Sequence, residues 1–265
     1  MYAFEYQRPS TRDAAKGAGA GAGVRYLAGG QSLIQAMRLR LSQSDRLVDL
    51  GGVADLRQIR AENNGVTIGA MATHASVARN ADVRRVAPAI AELAGGIGDP
   101  MVRNMGTLGG SIANADPAAD YPAALLALGA TVQTDRREIP AEQFFTGLYE
   151  TALAPGELVT AVSFPIPQKA AYAKYRQPAS RFALVGVFVA QTAAGVRVAV
   201  TGAKSQVFRA QPLEDALAAS FTPAAAKAVA LPATDVNADL HASAEYRAAM
   251  ISVMAARAVE AALAR

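Results

Sequence analysis

Apolar and polar positions along the chain follow two rhythms, one of helical and one of strand character. Ser10 and Asp13 mark a helix start before TRDAAKGA, and the Gly/Ala alternation GAGAGAG at 17–23 then breaks it and reads as a connector. VRYLAGG predicts a short strand that ends at a glycine pair. SLIQAMRLRL predicts a short amphipathic helix, with Leu33, Met37 and Leu41 at i, i+4 and i+8, and DRLVDL predicts a strand. In LRQIRAENNGVTIGAM, Leu56, Ile59, Val66 and Ile68 alternate around Asn63-Asn64-Gly65, a hairpin signal. Thr73 is placed to cap a helix through Asn80, and a longer helix is expected over 82–93, before Gly95-Gly96. AALLALGA reads as a helix stopping at Gly129, and TVQTDRREI and LVTAVSFPIP read as strands. Two prolines flank a polar break at 164–172, which reads as a boundary. Beyond it, FALVGVFVAQTAAGVRVAVTGA holds two strand-like runs joined by Thr192-Ala193-Ala194-Gly195. PLEDALAAS, PAAAKAVAL and the closing SAEYRAAMISVMAARAVEAALAR are helical, the last starting at Ser243 with Met250, Val253 and Met254 at core spacing. The pattern is mixed α/β in front and a smaller α+β unit behind.

Composition narrows the chemistry. The 265 residues are 52% hydrophobic, enough for a substantial core. The net charge of +4 is spread without a Lys/Arg run, so no nucleic-acid stripe is read from it. Cysteine is absent, which excludes disulfides, thiolate metal sites and iron–sulfur ligation by this chain. His74 and His241 are the two imidazoles, too far apart in sequence for a zinc motif. The N-terminal stretch has no apolar core of a signal peptide and no run reaches membrane-spanning length; a cytoplasmic protein is expected.

The stretch GTLGGSIANADPAAD (106–120) carries the most chemistry. Its glycine pair is unsuited to a core helix and reads as a loop. AGGQS (28–32) and TLGGS (107–111) share one design, Gly-Gly before a polar side chain. Such loops let backbone approach a ligand, and their successive amides make a concave anion site. A diphosphate is held this way without a basic residue. Gln31, Ser32, Thr107, Ser111 and Asn114 then suit phosphate or ribose oxygens, and Asp120, acceptor-only when ionised, suits a hydroxyl or ring N–H. A lone Gly-Gly is more often a turn, so the pairing of two carries the reading. Asp116 and Asp120 fit helix charge or capping better than a metal pair. No G-x-G-x-x-G opens a helix after a strand, no Gly-Lys dipeptide permits a P-loop, and no G-x-S-x-G supports a serine nucleophile. His74, after Thr73, reads as a capping or surface residue, and His241 as structural.

AGGQSLIQAMRLRL, TIGAMATHASV and GDPMVRNMGTLGGSIANADPAADYPAALLALGA closely resemble the FAD-binding medium subunit of molybdenum hydroxylases, the carbon monoxide dehydrogenase and xanthine dehydrogenase family. The resemblance extends through PGELVTAVSFP to AEYRAAMISVMAARAVE, almost the whole chain. It implies an α+β fold: a vanillyl-alcohol-oxidase (PCMH) type FAD-binding domain over 1–168, with α/β subdomains of 1–52 and 53–168, then a small C-terminal α+β domain over 169–265. It assigns Leu27, Ala28, Gly29, Gly30, Gln31, Ser32 and Leu33 to one diphosphate loop and Thr107, Leu108, Gly109, Gly110 and Ser111 to the other. It adds Asn114 and Asp120 along the cofactor, with Val159 and Arg176 toward its adenine and flavin ends. Ser111 stands where the family most often has Asn, and Gln31 where His is frequent.

The resemblance also implies a division of labour. A large partner chain holds molybdopterin, a small partner chain holds two [2Fe–2S] clusters, and this chain holds FAD, which passes electrons to NAD, a quinone or oxygen. The absence of cysteine agrees with that division. No catalytic acid or base and no metal ligand is assigned here. The expected assembly is a dimer of heterotrimers. Two other readings stay open: a stand-alone flavin oxidase of the same fold, for which the residues after the boundary are few, and a non-catalytic scaffold, which would not need both glycine pairs.

Overall fold

The computed structural model describes residues 1–62 and 64–265. Three sheets succeed one another along the chain. β1 (Glu5–Gln7), β2 (Val24–Leu27) and β3 (Arg46–Asp49) form a parallel sheet in the order β1-β3-β2, with α1 (Arg12–Ala18) and α2 (Leu33–Arg38) in the crossovers that parallel pairing requires. Thr11, rather than Ser10, caps α1, and the helix runs through Gly17 to Ala18 before the glycine-rich segment ends it. α2 stops at Arg38, because Arg40 adopts a left-handed φ of 60°; Leu41 is therefore 79% exposed instead of continuing the apolar stripe of Met37.

The second sheet is antiparallel. β4 (Ile59–Glu62) and β5 (Gly65–Gly69) form the expected hairpin, although Asn63 of its turn lies outside the described residues. Helices α3 (His74–Arg79), α4 (Ala81–Val86), α5 (Pro88–Gly95), α6 (Pro100–Met105), α7 (Leu108–Asn114) and α8 (Tyr121–Leu128) follow. Next come the hairpin of β6 (Thr131–Thr134) and β7 (Glu138–Pro140), then α9 (Ala141–Phe144) and the small ribbon of β8 (Phe145–Gly147) and β9 (Glu150–Thr151). β10 (Val159–Pro165) inserts between the two hairpins, giving β4-β5-β10-β6-β7. The helix expected over 82–93 is two helices. Pro88 disfavours helical backbone at Ala87 (φ −143°, ψ 58°) and starts α5 afresh.

The third sheet, β11 (Lys169–Arg176), β12 (Ala183–Thr192), β13 (Gly195–Thr201) and β14 (Phe208–Arg209), is an antiparallel meander. Val185, Val187, Val189, Val198 and Val200 face α10 (Gln211–Ala219), α11 (Pro223–Ala228) and α12 (Ala244–Leu263), whose Leu213, Leu217, Ile251 and Met254 complete that core. Ser243 caps α12 through Tyr246 N at 3.2 Å, as the sequence indicates. The opposite face of the sheet, through Phe188, Ala190 and Ala199, joins the main core of the second sheet. α8 lies between these two layers, so all eight of its residues are buried and it has no polar face. The architecture is the mixed α+β fold expected. Among the described residues no helix is long and apolar enough to cross a membrane.

Candidate functional site

The two glycine pairs meet. β2 ends at Leu27 and feeds 28–33, half-buried or exposed throughout. Gly30 sits at φ +71°, and Ser32 (φ −108°, ψ −55°) then enters α2. This left-handed to right-handed sequence turns consecutive amides toward one side. The amides of Gly29, Gly30, Gln31 and Ser32 find no acceptor among the described residues. A Cβ on Gly29 would lie 2.7 Å from both the Met105 carbonyl carbon and the Gly106 Cα, and nearer still to the Met105 oxygen. Ala28 Cβ lies 3.2 Å from where a Cβ of Gly110 would be. The first segment therefore rests directly on the lead-in to α7 and on its first turn.

The second pair departs from the expected loop. Gly109 and Gly110 lie inside the first turn of α7, capped by Thr107, whose Oγ1 accepts from Gly110 N at 3.1 Å. The other amides there are also engaged: Leu108 N donates to Ala72 O (3.1 Å), Gly109 N to Ala70 O (2.8 Å) and Ser111 N to Thr107 O (3.0 Å). The glycine serves packing, since a Cβ on Gly109 would meet Ala70 Cβ at 2.5 Å and Ala70 O at 2.8 Å. The expectation that both segments offer rows of free amides is thus corrected. The first does; of the second, Thr107 contributes one amide, which has no acceptor among the described residues although Thr107 is 3% exposed. An unpaired amide in so buried a residue calls for a ligand or water acceptor.

The remaining expected residues divide. Leu27 and Leu33 flank the first segment, half-buried, and Leu108 packs into the core. Ser111 and Asn114 lie on α7, half-buried, with no side-chain partner among the described residues. Val159 opens β10 and its side chain is in the main core; its neighbour Thr160 accepts from Ala70 N at 2.9 Å, one residue contact from Gly109. Arg176 ends β11 beyond an irregularity in the register, exposed.

Asp120 is buried before α8 and makes no side-chain cap. Its Oδ1 instead accepts from Tyr172 Oη (2.6 Å) and pairs with Lys174 Nζ (2.8 Å), both on β11. Lys174 also donates to Gly96 O at 3.0 Å. Burial raises the Asp120 pKa, and Lys174 and Tyr172 counter it. Helix capping, expected for both aspartates, is replaced at Asp116 by an acceptor role toward Ala118 N at 2.8 Å.

His74 is the residue that sequence reasoning misplaced. It is 5% exposed, not a surface group, and its amide donates to Gly106 O at 2.9 Å. Its ring lies 5.5 Å from that of Tyr121, and both His74 Nδ1 and Tyr121 Oη are buried without partners among the described residues. Burial, then the nearby Arg103 charge, pushes the imidazole down to about 4, so it is neutral near pH 7. Its adjacency to a glycine distant in sequence left no local signal. The arrangement suits a ligand with an acidic centre and hydroxyl groups: free amides at the centre, and the hydroxyl and amide side chains of Ser32, Ser111 and Asn114 around it.

Comparison with known proteins gives a consistent result. Residues 2–167 match the family described as FAD binding domain in molybdopterin dehydrogenase. The carbon monoxide dehydrogenase medium chain of Afipia carboxidovorans is 37% identical, over 99% of this chain and 97% of its own. The nicotine 6-hydroxylase medium subunit of Paenarthrobacter nicotinovorans is 34% identical, over 89% of this chain and 88% of its own. A solved structure of carbon monoxide dehydrogenase from Hydrogenophaga pseudoflava, described as lacking the Mo-pyranopterin moiety of its molybdenum cofactor, superposes with a TM-score of 0.88 at 34% identity, covering 98% of this chain and 97% of that one.

Proposed function

The chain belongs to the family of FAD-binding medium subunits of molybdenum hydroxylases, and from that premise we propose that it accepts electrons from [2Fe–2S] clusters of a partner chain and delivers them, through FAD, to NAD, a quinone or oxygen. The observation that carries the reading is the run of amides at Gly29–Ser32 that have no acceptor among the described residues, set against the buried Thr107 amide, which has none among them either. These five donors suit the FAD diphosphate. Ser32, Ser111 and Asn114 suit its phosphate and ribityl oxygens, and the Asp120 carboxylate, held through Oδ1, keeps Oδ2 for a hydroxyl. Val159, on β10 of the cofactor unit, and Arg176, from the unit that follows, are the remaining contacts in this proposal.

Bound FAD supplies the interchange between one-electron delivery and two-electron transfer to an acceptor. The chain's part is to bind and orient. Gly29 lets the two segments close on each other, and Lys174 fixes Asp120 while bridging to Gly96. The neutral His74 keeps positive charge off the underside of the Gly106–Thr107 segment. We further propose that the cofactor unit ends near 168. The second sheet closes at Pro165, the third begins at Lys169, and the family match stops at 167. Large molybdopterin and small iron–sulfur chains, as a cytoplasmic dimer of heterotrimers, complete the proposed assembly, in line with relatives named medium chain or medium subunit.

The test is to purify the chain with its co-purifying partners and titrate FAD. Stoichiometric, fluorescence-quenched flavin is expected, together with a large and a small partner chain. A folded chain that takes up no FAD in either form refutes the cofactor assignment. Substrate oxidation by the lone chain would favour the stand-alone oxidase instead.

A further inference from the structure

Helix α6, Pro100–Met105, is pinned by hydrogen bonds at both ends yet buries none of its residues. Six residues do not sustain a helix in water on their own. Asp99 caps it through Val102 N at 2.8 Å, Gly106 N closes it on Val102 O at 2.7 Å, and Arg103 Nη1 clamps the preceding turn through Ile97 O (2.9 Å) and Gly98 O (2.8 Å). Its C-terminal end, Met105 and Gly106, is the backbone against which Gly29 packs. On this fixed helix Met101 is 78% exposed and Met105, one turn on, is 55% exposed. On another side of the helix, a groove of about 540 Å³ runs toward α3, α4 and α5, walled by Arg79, Arg84, Arg103 and Asn104 over Ala75 and Ala91, with one carboxylate, Glu92, which is paired with Arg265. Arg79 and Arg84 have no carboxylate partner among the described residues.

We propose that α6 is the docking ridge for the electron-donating partner chain, whose complementary surface seats Met101 and Met105 in an apolar pocket and sets carboxylates against Arg79, Arg84 and Arg103. The proposal rests on the functional reading above. Three observations favour a protein partner of that chemistry. Methionines are adaptable side chains that suit a partner surface. Guanidinium groups left without acids next to an apolar ridge match an acidic rim around a hydrophobic centre. The ridge also runs straight into the backbone of the cofactor cradle, so a partner seated on it lies beside the flavoprotein site, where electrons must be handed over.

Methionine oxidation footprinting tests this without altering the protein. The lone chain and the purified complex are pulsed with hydrogen peroxide and sulfoxide is mapped by mass spectrometry, with exposed Met1 and buried Met37 and Met254 as internal references. Met101 and Met105 are expected to oxidise readily in the lone chain and about tenfold more slowly in the complex. Equal oxidation in both overturns the proposal. Protection that grows with concentration in the lone chain also overturns it, by assigning the face to a second copy. As a second arm, Arg79→Glu/Arg84→Glu is expected to weaken partner capture about tenfold or more, whereas Leu240→Glu, at an exposed site in the C-terminal unit, leaves it unchanged. Wild-type capture by the charge-reversal variant overturns the acidic-rim part. FAD titration of the same samples separates the two readings: loss of FAD binding in wild type sinks the functional assignment, whereas retained FAD with unprotected methionines sinks the docking ridge alone.

Discussion

Gly29→Ala places a methyl group where two main chains already touch. The new Cβ would stand 2.7 Å from the Met105 carbonyl carbon and the Gly106 Cα. Ordinary carbon–carbon contact needs ~3.5 Å, so the two segments must part by about 1 Å. Neither neighbour is a flexible side-chain tip; both are backbone, fixed by α6 and by the Thr107 cap. Overpacking of this kind costs roughly 1–3 kcal/mol of stability. The larger effect falls on the ligand. Separation takes the Gly29–Ser32 amides away from the Thr107 amide, and losing two charge-assisted hydrogen bonds costs about 3 kcal/mol. That corresponds to FAD binding weaker by about a hundredfold. The assay is flavin fluorescence quenching on the purified protein, with urea unfolding of the FAD-free form measured in parallel. Gly17→Ala is the companion: its Cβ meets nothing within 4 Å in α1, and a gain of about 0.5–1 kcal/mol with unchanged FAD affinity is expected. A Gly29→Ala protein that binds FAD as tightly as the parent and unfolds at the same urea concentration would refute the argument that the two segments form one cradle.

Two further outcomes follow from buried charge. Lys174→Met leaves the Asp120 carboxyl buried and uncompensated and should cost about 3–5 kcal/mol, whereas adding Asp120→Asn should recover much of that loss; equal urea midpoints for the single and double variants would count against the ion pair. His74, neutral in the fold with its pKa down at about 4 against 6.5 unfolded, binds its proton more readily in the unfolded chain. Stability should hold above pH 6.5 and fall by about 3 kcal/mol as the pH drops from 6.5 to 4, a slope that His74→Gln should flatten; parallel pH curves for the two proteins would show that the imidazole is not the source.

Local pattern carried much of this fold. The β4-β5 hairpin, the Ser243 cap and the strands on either side of Ala193-Ala194 are set by neighbours in sequence, and they stand where period and turn chemistry place them. The two glycine pairs were readable as partners because close backbone approach needs glycine wherever it occurs. What was hidden depends on contacts between distant residues. Gly109 reads as a loop residue until Ala70 is seen beneath it, and then it is a helix residue that must lack a side chain. His74 reads as a cap until Gly106 and Tyr121 close over it. Asp120 reads as a cofactor ligand or cap, and its partners Tyr172 and Lys174 are more than fifty residues away on another sheet. No spacing rule reports such pairings.

The position of β10 has a consequence for synthesis. Its residues emerge last among the five strands of the second sheet, yet it forms the seam between the β4-β5 and β6-β7 hairpins. Isolated two-stranded ribbons are at best marginally stable in water. A nascent chain that has cleared the ribosome only as far as β9 therefore carries two unjoined ribbons with bare edges, open to pairing with another chain. Arrival of Val159–Pro165 closes both edges at once, so the vulnerable interval in translation runs from the completion of β5 at Gly69, and for the second ribbon from that of β7 at Pro140, to the emergence of β10.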